Sequence, residues 1–223
     1  MAFILQLETA STNCSVSLAR EGELLASKEH NSPSFSHSEQ LHLFISEVME
    51  EAGVSLQQLN AIAVSKGPGS YTGLRIGVSA AKGLCYVLDI PLIATPTLKG
   101  MALQKEIASG FIIPMLDARR MEVYAAVFDA AHTEVVPTKA VIIEPDSFAE
   151  FAEKGKVFLV GSGAAKCREV LTHPNFSFDD SLIPSSRTMS VEAYRKFQQG
   201  SFEDVAYFEP YYLKDFILQQ KKK

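Results

Sequence analysis

GPGSYTGLRIGVSAAKGL, residues 67–84, joins the apolar run AIAV at 61–64 to a long helical pattern. Four of its first eleven residues are glycine and one is proline. A glycine turn between a strand and a helix brings backbone N–H groups and the positive end of the helix dipole to one point, which suits an anion. The spacing is not GxxxxGK[ST], because Lys66 precedes the glycines and no lysine follows at the required place, and it is not GxGxxG. Two readings stand. Gly67, Pro68, Gly69, Ser70 and Thr72 form an anion or nucleotide loop, or the glycines simply permit a tight turn and a close helix–strand approach.

The helix that follows is more informative. At about 100° per residue, Leu74, Gly77, Val78, Ala81, Leu84, Cys85 and Leu88 form one apolar stripe, and Ile76, Ala80, Gly83 and Val87 form another nearly opposite. A helix covering one sheet face needs an apolar arc of only a little over 100°. This one must be covered twice, either by other parts of the chain or by a partner protein, with Gly73, Gly77 and Ala81 at small-xxx-small spacing. An earlier helix at 38–52 carries Leu41, Phe44, Ile45 and Val48 on one face. The partner reading assigns the interface to these four together with Leu74, Arg75, Gly77, Val78, Ala81, Leu84 and Cys85. It expects Glu or Arg at Gly77 or Ala81 to separate the partners and leave the fold intact.

Outward from this point the chain reads as α/β. Strands at 3–9, 14–20 and 23–30 precede the helix, capped near Ser36 or Ser38, then the strand at 61–64 and the helix from 72 to 88, giving βββαβα. After a strand at 91–94 and a short helix from Thr97, the pattern restarts. IIPMLDA, EVYAAVFD and EVVPTKAVII are strands, 146–153 a helix, VFLVG a strand and 164–171 a helix: βββαβα again. Glu8 ends the first strand of one unit and Asp117 that of the other; GPGS and GSG follow the fourth strands. A helix at 191–199 and the segment FEPYYLKDF close the chain. The expected lobes are 1–105 and 106–223, packed closely.

Composition removes several classes of function. The net charge of −5 over 223 residues argues against a protein that grips nucleic acid alone, and the only dense basic run is the terminal QQKKK. No apolar run approaches the roughly 18–20 residues that span a bilayer, and MAFILQLET reads as a strand, so no membrane role and a cytoplasmic location are expected. Cys14, Cys85 and Cys167 are far apart and read as packed, reduced thiols. His37 and His42 are five apart, about 140° around a helix, so they are not a helical metal pair, and no metal is expected. Ser70 has no placed base and reads as a turn serine. Asp117 with Arg119, Arg120 and Glu122 reads as a salt-bridged hairpin, or else as a catalytic carboxylate flanked by guanidiniums.

Repeated βββαβα lobes with acidic strand ends, and LETASTNCSVSL, resemble the actin, Hsp70 and sugar-kinase (ASKHA) superfamily, whose fold is RNase H-like. Within it, GPGSYTGLRIGVSAAKGL is similar to the signature of the bacterial TsaB family, supported by IPLIATPTL, DARRMEVYAAVF and PYYLK. The resemblance covers essentially the whole chain. It implies a non-catalytic scaffold in making threonylcarbamoyladenosine (t6A) beside the tRNA anticodon. The scaffold pairs through its first-lobe helices with the catalytic transferase TsaD, works with the ATPase TsaE, forms a similar homodimer alone and meets tRNA only through the complex. It also implies a reduced second lobe, a vestigial nucleotide site at Gly67, Pro68, Gly69, Ser70, Thr72, Glu8 and Asp117, and no tightly bound cofactor beyond a nucleotide at the complex interface. The His-x-x-x-His pair that holds metal in the catalytic paralogue is absent. Glu8 stands where the family commonly has Asp, and Lys99 where it frequently has Glu. The alternative is an independent ASKHA ATPase or phosphotransferase using Glu8 and Asp117 around magnesium; a metallopeptidase would lack a ligand set.

Overall fold

A computed structural model describes residues 1–32 and 37–213. Strands β1 (Phe3–Glu8), β2 (Asn13–Arg20) and β3 (Glu23–Asn31) form an antiparallel meander. Helix α1 (His37–Ala52) leads to β4 (Leu59–Gly67), parallel to β1, and α2 (Tyr71–Leu88) leads to β5 (Leu92–Pro96), parallel to β4. The sheet order is β3-β2-β1-β4-β5. Because side chains alternate across a strand, Leu5 and Leu7 of β1 enter the core beneath α1 and α2, while Ile4 joins a second cluster on the opposite face. β1 is therefore buried on both sides.

Helix α3 (Thr97–Ala102) leads to the repeat: β6 (Phe111–Asp117), β7 (Glu122–Asp129), β8 (Glu134–Ile142), α4 (Ala149–Ala152), β9 (Val157–Val160), α5 (Ala164–Cys167) and β10 (Phe176–Asp179). Its sheet order is β10-β9-β6-β7-β8, which is the first sheet's order read from the other edge. The duplication is thus a property of the topology, and both sheets have five strands. What differs is helix length: 16 and 18 residues in α1 and α2 against four each in α4 and α5. The helix expected over 146–153 starts late because Phe148 is left-handed at φ 62°. That expected over 164–171 gives way to i→i+3 turns, with Val170 N donating to Cys167 O. The helix expected from about 38 opens at His37, which leaves Ser38 inside the first turn; Ser36 lies outside the described residues.

The chain beyond 105 returns to the first sheet. A 3-10 turn at Ser186–Met189 and helix α6 (Ser190–Gln198) come back onto the first sheet, where Ala193 joins Ile4, Ala61, Ala63 and Ile93, and Lys196 Nζ donates to Ala94 O at 2.7 Å. Residues 203–213 then run along the first lobe as a strap: Glu203 N donates to Leu92 O at 2.9 Å and Tyr211 N to Lys66 O at 2.7 Å. Lys214 of PYYLK and the lysine-rich tail lie outside the described residues. In the other direction, Lys99 of α3 donates to His132 O in the β7–β8 turn, its ammonium 5.3 Å from the Phe128 ring centroid. Lys99, for which the sequence offers no role, ties the lobes together.

Candidate functional site

The loop 67–70 closes on the β1–β2 turn. Gly67 has φ +105°, a conformation L side chains rarely adopt. A Cβ at Gly69 would sit 2.3 Å from Ala10 O, one at Gly73 2.1 Å from Thr9 O, and one at Gly77 2.3 Å from Thr9 Oγ1. The contact is bonded as well as tight. Ser70 N donates to Ala10 O at 2.7 Å and Thr9 Oγ1 to Gly73 O at 2.8 Å. Ser70 Oγ caps α2 by accepting from Gly73 N at 3.2 Å, so one first-turn donor is already satisfied. Thr72 is exposed and Pro68 buried. Close approach, the plainer of the two readings, explains Gly69, Gly73 and Gly77 without a ligand.

The two acidic strand ends occupy unlike environments. Glu8 is buried, accepts from Ala10 N at 2.6 Å, and lies against a small crevice between the lobes with Thr95, Thr97, Lys99, Thr188 and Glu192 on its walls. Burial pushes its carboxyl up to about 7, against the lowering effect of bonds from Ala10, Ser65 and Thr9. Asp117 is exposed, and its Oδ1 accepts from Lys166 Nζ at 2.6 Å and Arg119 N at 2.7 Å. Lys166 Nζ also donates to Arg120 O and Glu122 O at 2.8 and 2.7 Å. The hairpin is as expected, but its ion pair comes from α5 and not from Arg119 or Arg120. Lys166 comes three positions after the GSG turn, and nothing in the sequence near Asp117 points to it.

Among the described residues no three His, Cys, Asp or Glu side chains converge as metal ligands. His37 is buried, with Nε2 2.8 Å from Ser11 O, and burial lowers its pKa; His42 faces outward. The three cysteines are free and buried, and burial pushes Cys14 and Cys85 up to about 11, so they behave as small apolar side chains.

The helix faces require a correction. Leu41, Ile45, Val48, Leu74, Gly77, Val78, Ala81 and Cys85 are all buried against the first sheet or the β1–β2 turn, and a side chain without exposed surface cannot meet a partner. Phe44 and Leu84 are partly buried beside that core, and only Arg75 of the assigned set is exposed. The surface that does face outward is the second stripe. Gly83 is exposed, Val87 is 80% and neighbouring Tyr86 83% exposed, and Ile76 and Ala80 are half-buried. Leu43 adds 54% exposure on α1. A charged residue at Gly77 or Ala81 would therefore attack the core and not the partner.

Two duplicated five-stranded sheets of this order, each with a βββαβα unit, define a protein of the ASKHA-like class. The family model described as "TsaD: tRNA N6-adenosine threonylcarbamoyltransferase" matches residues 27–219. The chain is 29% identical to the tRNA threonylcarbamoyladenosine biosynthesis protein TsaB of Escherichia coli, over 98% of this chain and 97% of that one. It is 34% identical to the protein of the same name from Bacillus subtilis, over 63% and 62%. A solved Pseudomonas aeruginosa structure, described as an uncharacterised protein with similarity to peptidase YeaZ, superposes with a TM-score of 0.82 at 27% identity, covering 96% of this chain and all of that one. The chain belongs to this threonylcarbamoyltransferase-related family, on its TsaB branch.

Two outcomes are expected from this geometry. Gly73→Ala should lower the urea midpoint by the equivalent of about 1–3 kcal/mol with an unchanged slope, because its Cβ meets a backbone oxygen. For Glu8, the native state keeps a proton that the unfolded chain releases near 4.5, so stability falls as pH rises from 4.5 through about 7. Glu8→Gln keeps an acceptor for Ala10 N and should remove a loss on the order of 3 kcal/mol; parallel stability–pH curves for the two proteins would refute the assignment.

Proposed function

We propose that this protein is a non-catalytic subunit of tRNA threonylcarbamoyladenosine biosynthesis that docks a TsaD-like catalytic paralogue on the outer face of α2 and adjoining α1. The names of its relatives support the pathway, and the match to the TsaD family model supports a partner built on the same fold. One observation carries the docking: Tyr86 and Val87 are 83% and 80% exposed on a helix whose other side is buried. Large apolar and aromatic side chains grouped on one face mark an association surface.

In this reading the chain performs no transfer itself. Glu8 is boxed in by hydrogen bonds and carries no full charge near neutrality, and Asp117 is held by Lys166, so neither is free to organise a magnesium ion and phosphate. The chain holds no tightly bound cofactor, and any nucleotide belongs to the junction with the partner. A TsaE-like ATPase completes the assembly, the isolated protein forms a homodimer through the same helices, and a net charge of −5 leaves tRNA binding to the complex. No helix among the described residues is long and apolar enough to cross a membrane, and the reading places the protein in the cytoplasm.

Val87→Arg should weaken association with the paralogue by about thirtyfold or more in titration, the effect of losing a hot spot, while leaving the melting temperature unchanged. Ala81→Arg, by contrast, should unfold the chain. In reconstituted threonylcarbamoyl transfer with the paralogue and the ATPase, omitting this protein should abolish modification; a full rate without it sinks the proposal.

A further inference from the structure

The strap at 203–213 has an unusual relation to α2. Lys82 Nζ donates to Ala206 O and Phe208 O, both at 3.1 Å, and at the other end the Tyr71 ring lies 4.8 Å from that of Tyr212. The eleven steps from Tyr71 to Lys82 span about 16 Å of helix axis. The strap meets the C-terminal half of α2 at 206–208, where Phe208 N closes a turn by donating to Asp204 O at 2.8 Å, and meets its first turn at 212. The strap therefore runs antiparallel along one flank of α2. At about 100° per residue, the helix presents Lys82, then Tyr86, then Gly83 and Val87 in angular sequence. Strap and outer apolar face are two sides of one continuous surface with Tyr86 between them.

A groove opens along the strap, lined in part by Lys66, Glu203, Asp204, Tyr207, Glu209 and Tyr211. Three of those lining residues are carboxylates and one is an ammonium. Among the described residues, no cation lies within salt-bridge distance of Glu203, Asp204 or Glu209. Asp204 is committed locally, its Oδ1 accepting from Ala206 N and Tyr207 N at 2.8 and 3.1 Å. Glu209 is exposed, as are Tyr207 at 84% and Tyr211 at 43%. Five of the chain's seven tyrosines lie on α2 or this strap. Glu209, with no ion pair among the described residues and beside exposed tyrosine rings, suits a guanidinium or ammonium, through charge-assisted hydrogen bonds and ring-face attraction. The same carboxylates repel a phosphate backbone.

Area supports a second contact zone. A strip about 27 Å long and about 10 Å wide along α2 offers roughly 270 Å², a third of the ~800 Å² per partner in a standard interface. The flanks of α2 must supply the rest, α1 on one side and the strap on the other. We infer that the strap groove is a second half of the partner interface, taking an arginine- or lysine-bearing segment of the catalytic paralogue while α2 takes its helices. This rests on the docking proposed above.

The test is titration of the purified paralogue against the full-length wild type, Glu209→Lys, Tyr207→Ala and Val87→Arg, at about 50 mM and about 500 mM salt. Both strap side chains are exposed, and unchanged melting temperatures would certify the fold. Glu209→Lys should weaken binding about tenfold or more at low salt, with the gap narrowing at high salt. Tyr207→Ala should weaken it at both. If Val87→Arg alone impairs binding, the groove is no part of the interface and the docking on α2 stands. If the wild type does not bind the paralogue, both are overturned.

Discussion

The first turns of α2 touch the β1–β2 turn at backbone distance, and the rest of the first lobe depends on that approach. Thr9 and Ala10 occupy the space that side chains at positions 69, 73 and 77 would need. Ser70 N to Ala10 O and Thr9 Oγ1 to Gly73 O lock the two segments together. Once the helix start is pinned there, the 3.6-residue period determines which side chains meet the sheet. Leu74, Val78, Ala81 and Cys85 go inward, and Gly83, Tyr86 and Val87 are left to water. The apolar face left to water is thus a consequence of three absent side chains at the opposite edge of the helix.

The loop 67–70 reads as a phosphate cradle from its composition, yet a cradle needs space as well as N–H groups. Here the space beside Gly69 and Gly73 is taken by the backbone oxygens of Ala10 and Thr9. The same sequence feature can serve either purpose because glycine is required in both, for close approach to a ligand or to another strand. Only the position of the β1–β2 turn decides between them, and that position is a tertiary fact.

Much of the fold was legible for ordinary reasons. The apolar run of FILQLE, the alternation in CSVSLAR, and the 3.6 periodicity of residues 41–52 and 74–88 are long enough to stand out, so the doubled βββαβα order followed directly. Strand Phe176–Asp179 was not read, since four residues hold too few alternations to distinguish a strand from a loop. The outward face of α2 was half legible. That α2 is apolar on two sides could be counted from the sequence, but which stripe the sheet takes could not, because Leu74, Gly77 and Ala81 are no more apolar than Ile76, Ala80 and Val87. The ion pair of Asp117 was missed for a related reason: Lys166 lies 49 positions away, and nothing local links them.

The second face of the first sheet shows how the two lobes become one body. Gln6, Glu8, Ser15, Ser17 and Ser65 make this a polar, buried layer, and unpaired polar atoms in such a layer cost about 1–3 kcal/mol each. The returning segment answers that need with matched groups: Ser186 N donates to Ser15 Oγ at 3.1 Å, Asn13 Nδ2 to Pro184 O at 3.0 Å, and Ser185 Oγ to Glu29 Oε2 at 2.7 Å. Among the described residues Gln6 Nε2 and Asn13 Oδ1 find no partner, so the match is incomplete. A polar layer fixes register more strictly than an apolar one, because a shift of one residue would strand several hydroxyls at once. The segment 184–190 is therefore held in a single alignment on the sheet. That alignment also sets where α6 lies and where the strap begins, and the strap reaches α2 at the one flank where Lys82 can meet its carbonyls.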